Sequence, residues 1–536
     1  MPTLAGWLTG EQVPSEIIEQ TLMAMGNVLG QHGGQAAHTI HPGAGLIAFA
    51  DTAYTMAQQD EAPVLDWVPD RRTLVYRRPL SGIHPLYYIE NWPDQGNLLF
   101  ASEIKALFAV GVPRRLHLAA LDTLLRYGCI PAPWTAFKDI HVVPAGWLLR
   151  WQRAKTVINQ ILDYQLDQPL TPSNAIDKLD TTLNKATVNM LPPHDQLVAL
   201  TGGASPSALS TLLAARHTTA PFPVVSFGYT KSSSAKLWKA GEAIAQACQH
   251  PFLAITGMDQ PEFWMAALAA TEAPCLDTRP LALHQLLHTV ATATGARIAI
   301  SGLGSHILFN TINHQHGEQL AGEQADILDW YGRIQSPAQT RQSLWTPDVL
   351  ATIRAEELWE QSLHARKLAR HALQLNNQRL RKYYLDLHLR LPDMVNVFQQ
   401  LATQERMAVR SPYLNTHVID LLARLPATLD DREPESALIA PLVRRYMPNM
   451  RGTPAKLPLA VPSSSLFHPE QSDLLQQTLS PEAIRATGIF DPQAVQALVE
   501  QGDISRELML VFTTQVLCHL FFQYPQAGRD PAFPRS

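Results

Sequence analysis

A glycine pair between an apolar run and a helical pattern is the first place where residue types and spacing could do chemistry. Residues 197–214 read LVALTGGASPSALSTLLA, so Thr201, Gly202 and Gly203 directly follow the apolar run. A buried strand that stops at two glycines before a helix binds phosphate well, because backbone N–H groups and the helix N-terminus converge on the anion. Ser205 stands where magnesium-assisted chemistry would use an acid. The pattern predicts a nucleotide loop, either functional or without its metal ligand.

A second glycine pair follows a second apolar run. Residues 296–304 read ARIAISGLG, in which Ser301 precedes Gly302 and Gly304. In a doubly wound α/β sheet, ligands bind outside the carboxyl ends of the parallel strands. If both runs are strands of one such sheet, the two glycine loops belong to the same binding site.

The elements that must position these loops are predicted from the apolar runs. Before residue 150, short runs at 46–51, 73–82, 84–90 and 97–103 are rich in β-branched and aromatic residues and are separated by Gly, Pro and Asn. This pattern predicts strands of a mostly antiparallel sheet. We therefore expect a compact β-rich domain at the start of the chain.

After about residue 170, predicted strands alternate with predicted helices. The runs at 196–200, 223–229 and 296–304 are typical of buried parallel strands, and residues 236–248 and 281–294 repeat apolar residues at helical spacing. Alternation of this kind predicts a doubly wound parallel α/β sheet. Helical patterns dominate the rest of the chain, and we expect these helices to pack on the same domain. The predicted fold class is α/β, with a β-rich domain first and helices last.

Composition limits the class of function. The chain has 536 residues, of which 46% are hydrophobic and 17% are charged, and its net charge is -5. Such a chain is long enough for roughly two to four domains and lacks the basic surface that nucleic-acid binding requires. The four cysteines are far apart, and no apolar run is long enough for a membrane helix. We expect a protein of the reducing cytoplasm that binds neither nucleic acid nor membranes.

Several segments occur in an order that resembles the asparagine synthetase family. In chain order they are ASEIKALF, LLRYGCIPAPWTAFKDIHVVPAGWLLRW, the first glycine loop, TEAPCLDT, ISGLGSHILF, YLDLHLRLPD and VRSPYLN. The resemblance implies a class II amidotransferase domain of Ntn-hydrolase type over residues 1–155 and an ATP pyrophosphatase synthetase domain over residues 170–530. It also implies ATP and magnesium as cofactors and an amide-forming reaction, as in asparagine biosynthesis or in the related β-lactam synthetases and lasso-peptide cyclases.

The first domain departs from the family at the nucleophile. In the family, a cysteine follows the initiator methionine, and its thiol attacks glutamine while its α-amine acts as the base. Pro2 stands at that place and offers no thiol. The stretch RRPLSGIHPLYY resembles a family element, but Pro79 and His84 replace its aspartate and lysine, and the section in which the family binds glutamine is missing. We expect no glutaminase activity and interpret this domain as a truncated sheet that supports the second domain.

The second domain departs from the family at its magnesium ligands. The residues that match the two nucleotide loops are Thr201, Gly202, Gly203, Ser205, Ser207, Ser301, Gly302 and Gly304. However, Ser205 replaces the aspartate of the first loop, and His306 and Ile307 replace both acids of the second. Magnesium prefers carboxylate and phosphate oxygens, for which serine and histidine are poor substitutes. We predict no metal ligand, and whether ATP and magnesium still bind stays an open question at this point.

One catalytic candidate remains. Residues 451–462, RGTPAKLPLAVP, look like a late family loop, and the resemblance implies that Lys456 offsets negative charge at the α-phosphate. Without the resemblance, a lysine in a proline-rich loop is more often an exposed charge. The basic amphipathic pattern at 379–391 predicts a solvated helix face, and the His-Gln-His stretch at 314–316 predicts a solvated loop rather than a metal site.

Two functions from different classes follow from these residues. The first is a non-catalytic member of the family, a pseudoenzyme with a regulatory or scaffolding role, whose partner is a second copy of the chain or an active paralogue. The alternative is an ATP-dependent ligase that forms an amide from ammonia or an intramolecular amine through an acyl-adenylate. The loss of acids from several separate positions favours the first function.

Overall fold

The structure is a computed structural model of the chain. The residues that it describes are 3–11, 13–50, 64–164, 166, 172–191, 197–201, 205–228, 231–257, 261–309, 326–335, 343–376, 378–424, 434–448, 474–475, 477–501 and 504–522. In this part of the chain, no helix is both long enough and apolar enough to cross a membrane.

Two antiparallel sheets form the N-terminal part. Its strands are β1 (Thr3–Leu8), β2 (Gln35–His41), β3 (Ala44–Ala50), β4 (Val64–Val68), β5 (Thr73–Arg77), β6 (Tyr87–Glu90), β7 (Leu98–Ala101), β8 (His141–Val142), β9 (Trp147–Gln152) and β10 (Lys155–Gln160). One sheet has the order β2-β3-β1-β7-β6-β8, and the other has the order β10-β9-β5-β4. The helices of this part are α1 (Ser15–Leu29), α2 (Ile104–Phe108) and α3 (Leu118–Tyr127).

Alternating side chains along β1 explain how these layers stack. Leu4 and Leu8 belong to the core between the two sheets, together with Phe100 of β7 and Trp151 of β9. Trp7 points to the other face of the sheet, where it joins a second core with α1. Because successive strand residues face opposite sides, the apolar strand β1 can fill both cores at once.

A five-stranded parallel sheet forms the centre of the C-terminal part. Its strands are β11 (Leu197–Leu200), β12 (Val224–Gly228), β13 (Phe252–Thr256), β14 (Ile298–Ile300) and β15 (Ala408–Arg410). Their order is β13-β12-β11-β14-β15, and all pairs are parallel. The chain moves outward from β11 to β13 and then returns to β14 on the other side of β11. This reversal creates a crevice at the carboxyl ends of β11 and β14, which is the usual ligand position in such sheets.

Helices surround the parallel sheet and continue to the end of the described chain. They are α4 (Pro172–Met190), α5 (Ser205–His217), α6 (Lys231–Cys248), α7 (Pro261–Thr271), α8 (Arg279–Thr294), α9 (Ser305–Leu308), α10 (Ile327–Gln335), α11 (Pro347–Ala355), α12 (Leu363–Gln374), α13 (Gln378–His388), α14 (Arg390–Gln404), α15 (Thr416–Ala423), α16 (Pro434–Tyr446), α17 (Pro481–Thr487), α18 (Pro492–Glu500) and α19 (Arg506–Phe521). The largest core cluster contains Leu121 and Tyr127 of α3 together with Val198 of β11 and Trp359. The two parts therefore share one hydrophobic core.

The predicted fold class is confirmed, and the differences lie in the details of single elements. The run predicted from residue 84 becomes a strand only at Tyr87, because His84 has a φ of 55° and the following proline cannot donate to a sheet. The edge strands β13 and β15 are not among the predicted strands. β13 is mostly half-exposed, and β15 has only three residues.

Helix α13 corrects the prediction of a solvated basic face. Lys382, Asp386 and His388 are all buried, and Lys382 Nζ lies 2.5 Å from an Asp386 oxygen. Charges at helical spacing indicate a solvated face only when no other element covers that face. Here other elements of the protein cover the face of α13.

The apolar residues near position 520 belong to the core: Phe521 of α19 contacts the rings of Phe108 and Phe137.

Candidate functional site

Thr201 is the first residue after β11, at the centre of the crevice. Its N–H donates to the carbonyl of Val225 at 2.8 Å, and its own carbonyl accepts from Ser226 Oγ at 3.0 Å. The Thr201 hydroxyl is buried and makes no hydrogen bond to a described residue. The end of β11 therefore presents an unpaired hydroxyl in the crevice.

Helix α5 begins directly behind this position. It starts at Ser205 with Pro206 in its first turn, where a proline is favourable because the missing N–H has no helical partner there. Ser207 is buried in the same turn. Gly202, Gly203 and the side chain of Ser205 lie outside the described residues, so their roles stay predictions.

The second glycine loop packs on the start of α5. A Cβ atom at Gly302 would lie only 2.9 Å from the backbone nitrogen of Ser207, so this close approach requires glycine. Ser301, the residue after β14, is buried. Gly304 has a φ of 90° and ends the loop before α9, and the Ser305 hydroxyl donates to the Gly302 carbonyl at 2.7 Å. The second glycine loop is thus in direct contact with the first turn of α5, the helix that follows β11.

A cavity of about 970 Å³ lies at this end of the sheet. It is lined by all the predicted loop residues whose side chains or glycine positions are described, namely Thr201, Ser207, Ser301, Gly302 and Gly304. The N-terminal part closes one side with apolar residues, among them Ile104, Leu124, Ile130, Trp134 and Val142. The volume is typical of a small-molecule site.

Asp277 is a carboxylate in the cavity wall, but it is already paired. Its oxygens accept from the Arg279 backbone N–H at 2.9 Å and from Arg279 Nε at 2.8 Å. Both oxygens face the same arginine, so a metal ion would have to compete with this ion pair for the carboxylate.

Glu272 is also engaged, and its partners belong to the N-terminal part. Its two oxygens accept from the backbone N–H groups of Ile104 and Lys105, each at 2.7 Å. Burial raises the pKa of this carboxyl to about 7, although Lys105 opposes the shift. Glu272 therefore connects α7 to α2 rather than serving the strand ends.

Asp393 on α14 is the third acid in the cavity wall. Burial raises its pKa to about 7, and the charges of Arg279 and Arg390 only partly offset this effect. A substantial share of the Asp393 carboxyl is therefore protonated at neutral pH.

Positive and neutral groups lie beside these acids. Arg390 lines the cavity. Its guanidinium lies 3.8 Å from an oxygen of Asp386. Asp386 already accepts from Tyr331 at 2.6 Å. His306 lines the cavity as well, and its side chain is exposed there. Desolvation by the surrounding protein and, to a smaller extent, the charges of Arg279 and Arg390 lower the pKa of its imidazole to about 4, so the ring is neutral at pH 7.

The described side chains do not fit a magnesium–triphosphate complex. Magnesium in such sites is held by carboxylates together with phosphate oxygens. In the cavity, Asp277 is ion-paired, Glu272 is bonded to the backbone, and the pKa of Asp393 is raised. Among the described residues, no group of three or more His, Cys, Asp or Glu side chains could hold a metal ion. Lys456 and the 314–316 stretch lie outside the described residues, so their predicted roles are not tested.

Arg390 and Asp393 are site residues that sequence reasoning misses. They are three positions apart, a spacing that places both on one side of a helix. The same spacing occurs on many solvated helices, and nothing in the sequence indicates that this side of α14 faces a cavity.

Arg78 fastens the N-terminal part to α14. It is 1% exposed, and its guanidinium donates to the carbonyls of Gly82 and Val143 and to Asn396 Oδ1, with shortest distances of 2.6, 2.7 and 2.7 Å. Gly82 itself packs so closely on α14 that a Cβ atom would lie 2.6 Å from the Cα of Pro392. The wall of the cavity formed by α14 is therefore supported from the N-terminal part.

Asp163 makes a second connection, after β10. Its oxygens lie 2.9 Å from His388 Nε2, 3.0 Å from the Tyr384 hydroxyl and 3.1 Å from His371 Nδ1. We call three sets of contacts the domain joint: those of Arg78, those of Asp163, and the hydrogen bonds of Glu272 with the backbone of α2.

Fold and site define a class of proteins in which antiparallel amidotransferase-type sheets are joined to a parallel-sheet synthetase domain. The family model described as "Asparagine synthase" matches residues 195–519, more than half of the chain, and the model described as "Glutamine amidotransferase domain" matches residues 64–162. The chain belongs to the asparagine synthase family, whose members are typically ATP-dependent carbon–nitrogen ligases. A comparison with curated proteins finds no match for this chain.

Proposed function

We propose that the protein is a non-catalytic member of the asparagine synthase family, with a regulatory or scaffolding role beside a second copy or an active paralogue. The observation that carries the proposal is the state of the acids around the cavity. Asp277 and Glu272 are bonded to protein groups, and the pKa of Asp393 is raised to about 7. A magnesium–triphosphate would have to compete with these partners, and it would have to ionise the protonated share of the Asp393 carboxyl.

The domain joint supports a structural role for the N-terminal part. A working glutaminase would need its own nucleophile, which the sequence does not predict. What this part does supply is packing and hydrogen bonds: it closes the cavity, holds α14 through Arg78 and caps Glu272. Such contacts suit a covering and stabilising element.

The preserved cavity favours a second candidate, an ATP-dependent amide-forming ligase that works through an acyl-adenylate. The cavity lies at the switch point of the sheet, and the Thr201 hydroxyl there is unpaired among the described residues. In this function Lys456 would supply positive charge at the α-phosphate. The ligase would need ammonia or an intramolecular amine as its nitrogen source.

Pyrophosphate release separates the two functions. The full-length protein is incubated with ATP, magnesium, ammonium and a panel of amino acids, with hydroxylamine added to trap activated carboxylates. We expect no release above the rate without protein. Lys456→Ala is the matched control, because a contaminating synthetase would release pyrophosphate equally in both preparations.

A different result would reverse the proposal. Pyrophosphate release by the unmodified protein that is lost in Lys456→Ala would mean that the chain activates a carboxylate itself. The ligase function would then be correct, and the acids of the cavity would have been replaced by other metal ligands.

A further inference from the structure

Two arginines, Arg279 and Arg390, line the cavity. Arg279 is paired with Asp277 through hydrogen bonds. Arg390 and Lys382 share one carboxylate, Asp386, which Lys382 contacts at 2.5 Å and Arg390 only at 3.8 Å. Asp393 also lies near Arg390, but burial raises its pKa to about 7, so it offsets the charge of Arg390 only in part at neutral pH. Among the described residues of the wall, the positive charge that is least compensated is therefore that of Arg390.

The Arg390 guanidinium has hydrogen-bond donors that no described residue accepts. Its side chain is 24% exposed, and it lines the cavity together with Asp393 and His306. A guanidinium presents paired N–H groups that match the two oxygens of a carboxylate. Asp393, when protonated, can donate a hydrogen bond to the same acceptor. These groups form a polar end suited to one small anion.

The remaining walls are mainly apolar and come from both parts of the molecule. Leu283 and Leu286 of α8 and Phe398 of α14 belong to the C-terminal part, and Leu124 and Val142 belong to the N-terminal part. A ligand that fills this space is stabilised by removing its apolar surface from water. A small polar molecule would leave most of the cavity without complementary contacts.

We propose that the cavity binds, without a metal ion, an apolar molecule that carries a single carboxylate, with the carboxylate on Arg390 and the apolar body between the two parts. The proposal rests on the proposed function, because it gives the cavity a ligand other than a magnesium nucleotide. One arginine whose charge is only partly compensated suits a monoanion better than a triphosphate. A neutral ligand would leave Arg390 unpaired, and a cationic ligand would be repelled by it.

Straight-chain acids test the proposal on the full-length protein. Hexanoate, octanoate and decanoate are titrated below their micelle concentrations by calorimetry, with decanamide as a neutral match and decylammonium as a match of opposite charge. We expect affinity to rise about fourfold for each added methylene, because each buried methylene contributes a similar increment. Decanamide should bind about tenfold more weakly than decanoate, because it lacks the charge-assisted hydrogen bonds.

Arg390→Gln tests the polar end. This variant should bind decanoate about tenfold more weakly and decanamide unchanged. Arg354→Gln is the matched control, because Arg354 is an exposed arginine of α11, and it should bind like the unmodified protein. Arg390→Lys keeps the charge and should retain the preference for decanoate over decanamide, even if Arg390→Gln folds poorly.

Three results would overturn the proposal. They are the absence of decanoate binding, equal affinity for decanoate and decanamide, and decanoate binding that Arg390→Gln leaves unchanged. A separate titration with ATP and magnesium in the same buffer distinguishes failure of the carboxylate-ligand proposal from failure of the proposed non-catalytic function. Tight magnesium-dependent ATP binding would overturn the proposed function, whereas the three results above leave it standing.

Discussion

The domain joint and the cavity use their polar groups in opposite ways. In the domain joint, Arg78 donates to three oxygen acceptors, and Asp163 lies within hydrogen-bond distance of two histidines and a tyrosine. In the cavity, Thr201 Oγ1 bonds to no described residue, and the contact of Arg390 with Asp386 is 3.8 Å long. Unpaired buried polar groups reduce stability, so protein folding alone accounts for the joint but not for the cavity.

This difference separates groups that stabilise the fold from groups that are available to a ligand. The joint is built like a protein core and holds the N-terminal part in place. The cavity lies at the switch point of the sheet and keeps polar groups that the described protein residues do not satisfy. We therefore expect substitutions in the joint to change the stability of the protein, and substitutions in the cavity to change ligand binding with small effects on stability.

The largest effect is expected for Arg78→Ala. It leaves the carbonyls of Gly82 and Val143 without a donor and opens a void in the joint, so we expect a loss of about 3–5 kcal/mol in the free energy of unfolding. Arg77→Ala is the matched control, because Arg77 is exposed one position earlier, and it should cost less than about 0.5 kcal/mol. Urea unfolding measures both. Similar losses for the two variants would show that Arg78 is not a central contact of the joint.

Gly82→Ala should have the next largest effect. The new Cβ atom would meet the backbone of Pro392, and the φ of 84° adds strain, so a loss of about 2–4 kcal/mol is expected. Gly295→Ala has a similar φ of 64° with no atom within 4 Å, and it should lose only about 1 kcal/mol. Thermal unfolding of the two variants isolates the contact with α14. Equal losses would leave only backbone strain as the cause.

Asp163→Asn should destabilise the protein by about 1–2 kcal/mol at neutral pH. Burial alone would raise the pKa of Asp163, but the hydrogen bond and charge of His388, with His371, outweigh burial and lower it. A carboxyl with a lowered pKa in the folded state stabilises the protein above its unfolded pKa, and this contribution is lost as the pH falls through the folded pKa. The difference between the variant and the unmodified protein should therefore shrink below about pH 4. A difference that is constant with pH would contradict this assignment.

Asp393→Asn should stabilise the protein at high pH, in contrast to Asp163→Asn, which should destabilise it. Because the pKa is raised to about 7 in the folded state, the native carboxyl keeps a proton that the unfolded chain releases from about pH 4 upward. The cost of this carboxyl grows as the pH rises to about 7 and then stays constant. The variant should match the unmodified protein at pH 4 and be more stable by about 1 kcal/mol at pH 8. Destabilisation at pH 8 would mean that the ionised carboxylate has a partner.

The smallest effect is expected for Ser205→Asp. Restoring one acid to the first loop should not restore pyrophosphate release, because His306 and Ile307 still leave the second loop without an acid. The rate is measured with ATP, magnesium and the amino-acid panel. Release by this single variant would show that the second loop is not needed for metal binding.

The central sheet is the part of the fold that sequence predicts best. Buried parallel strands such as β11, β12 and β14 are continuous apolar runs, and the glycines that follow β11 and β14 mark their ends. The edge strands are harder to recognise: β13 is a short apolar run, FLAIT, which by itself does not distinguish a strand from a helix, and β15 has only three residues. The proximity of the second glycine loop to the start of α5 follows from strand order, and the structure adds the reason that Gly302 is required.

The candidate site could be predicted only in part. Thr201, Ser207 and the second glycine loop do line one cavity. The orientation of Glu272 could not be predicted, because its partners are backbone N–H groups 167 and 168 positions away in the chain. Arg390 and Asp393 carry no local signal for a cavity, since their surroundings come from tertiary packing. Sequence therefore indicates the loops at the strand ends more readily than the side chains that tertiary packing brings beside them.

Thermal unfolding with nucleotides is the most direct test of whether the cavity binds a magnesium–nucleotide complex. The full-length protein is heated alone, with ATP, with ATP and magnesium, and with AMP. A ligand at about a hundred times its dissociation constant stabilises the native state by about 2.7 kcal/mol, which is readily measured. Because the cavity does not fit a magnesium–triphosphate, we expect no stabilisation that depends on magnesium. A clear stabilisation by ATP that requires magnesium would contradict this expectation and show that the cavity still holds a metal–nucleotide complex.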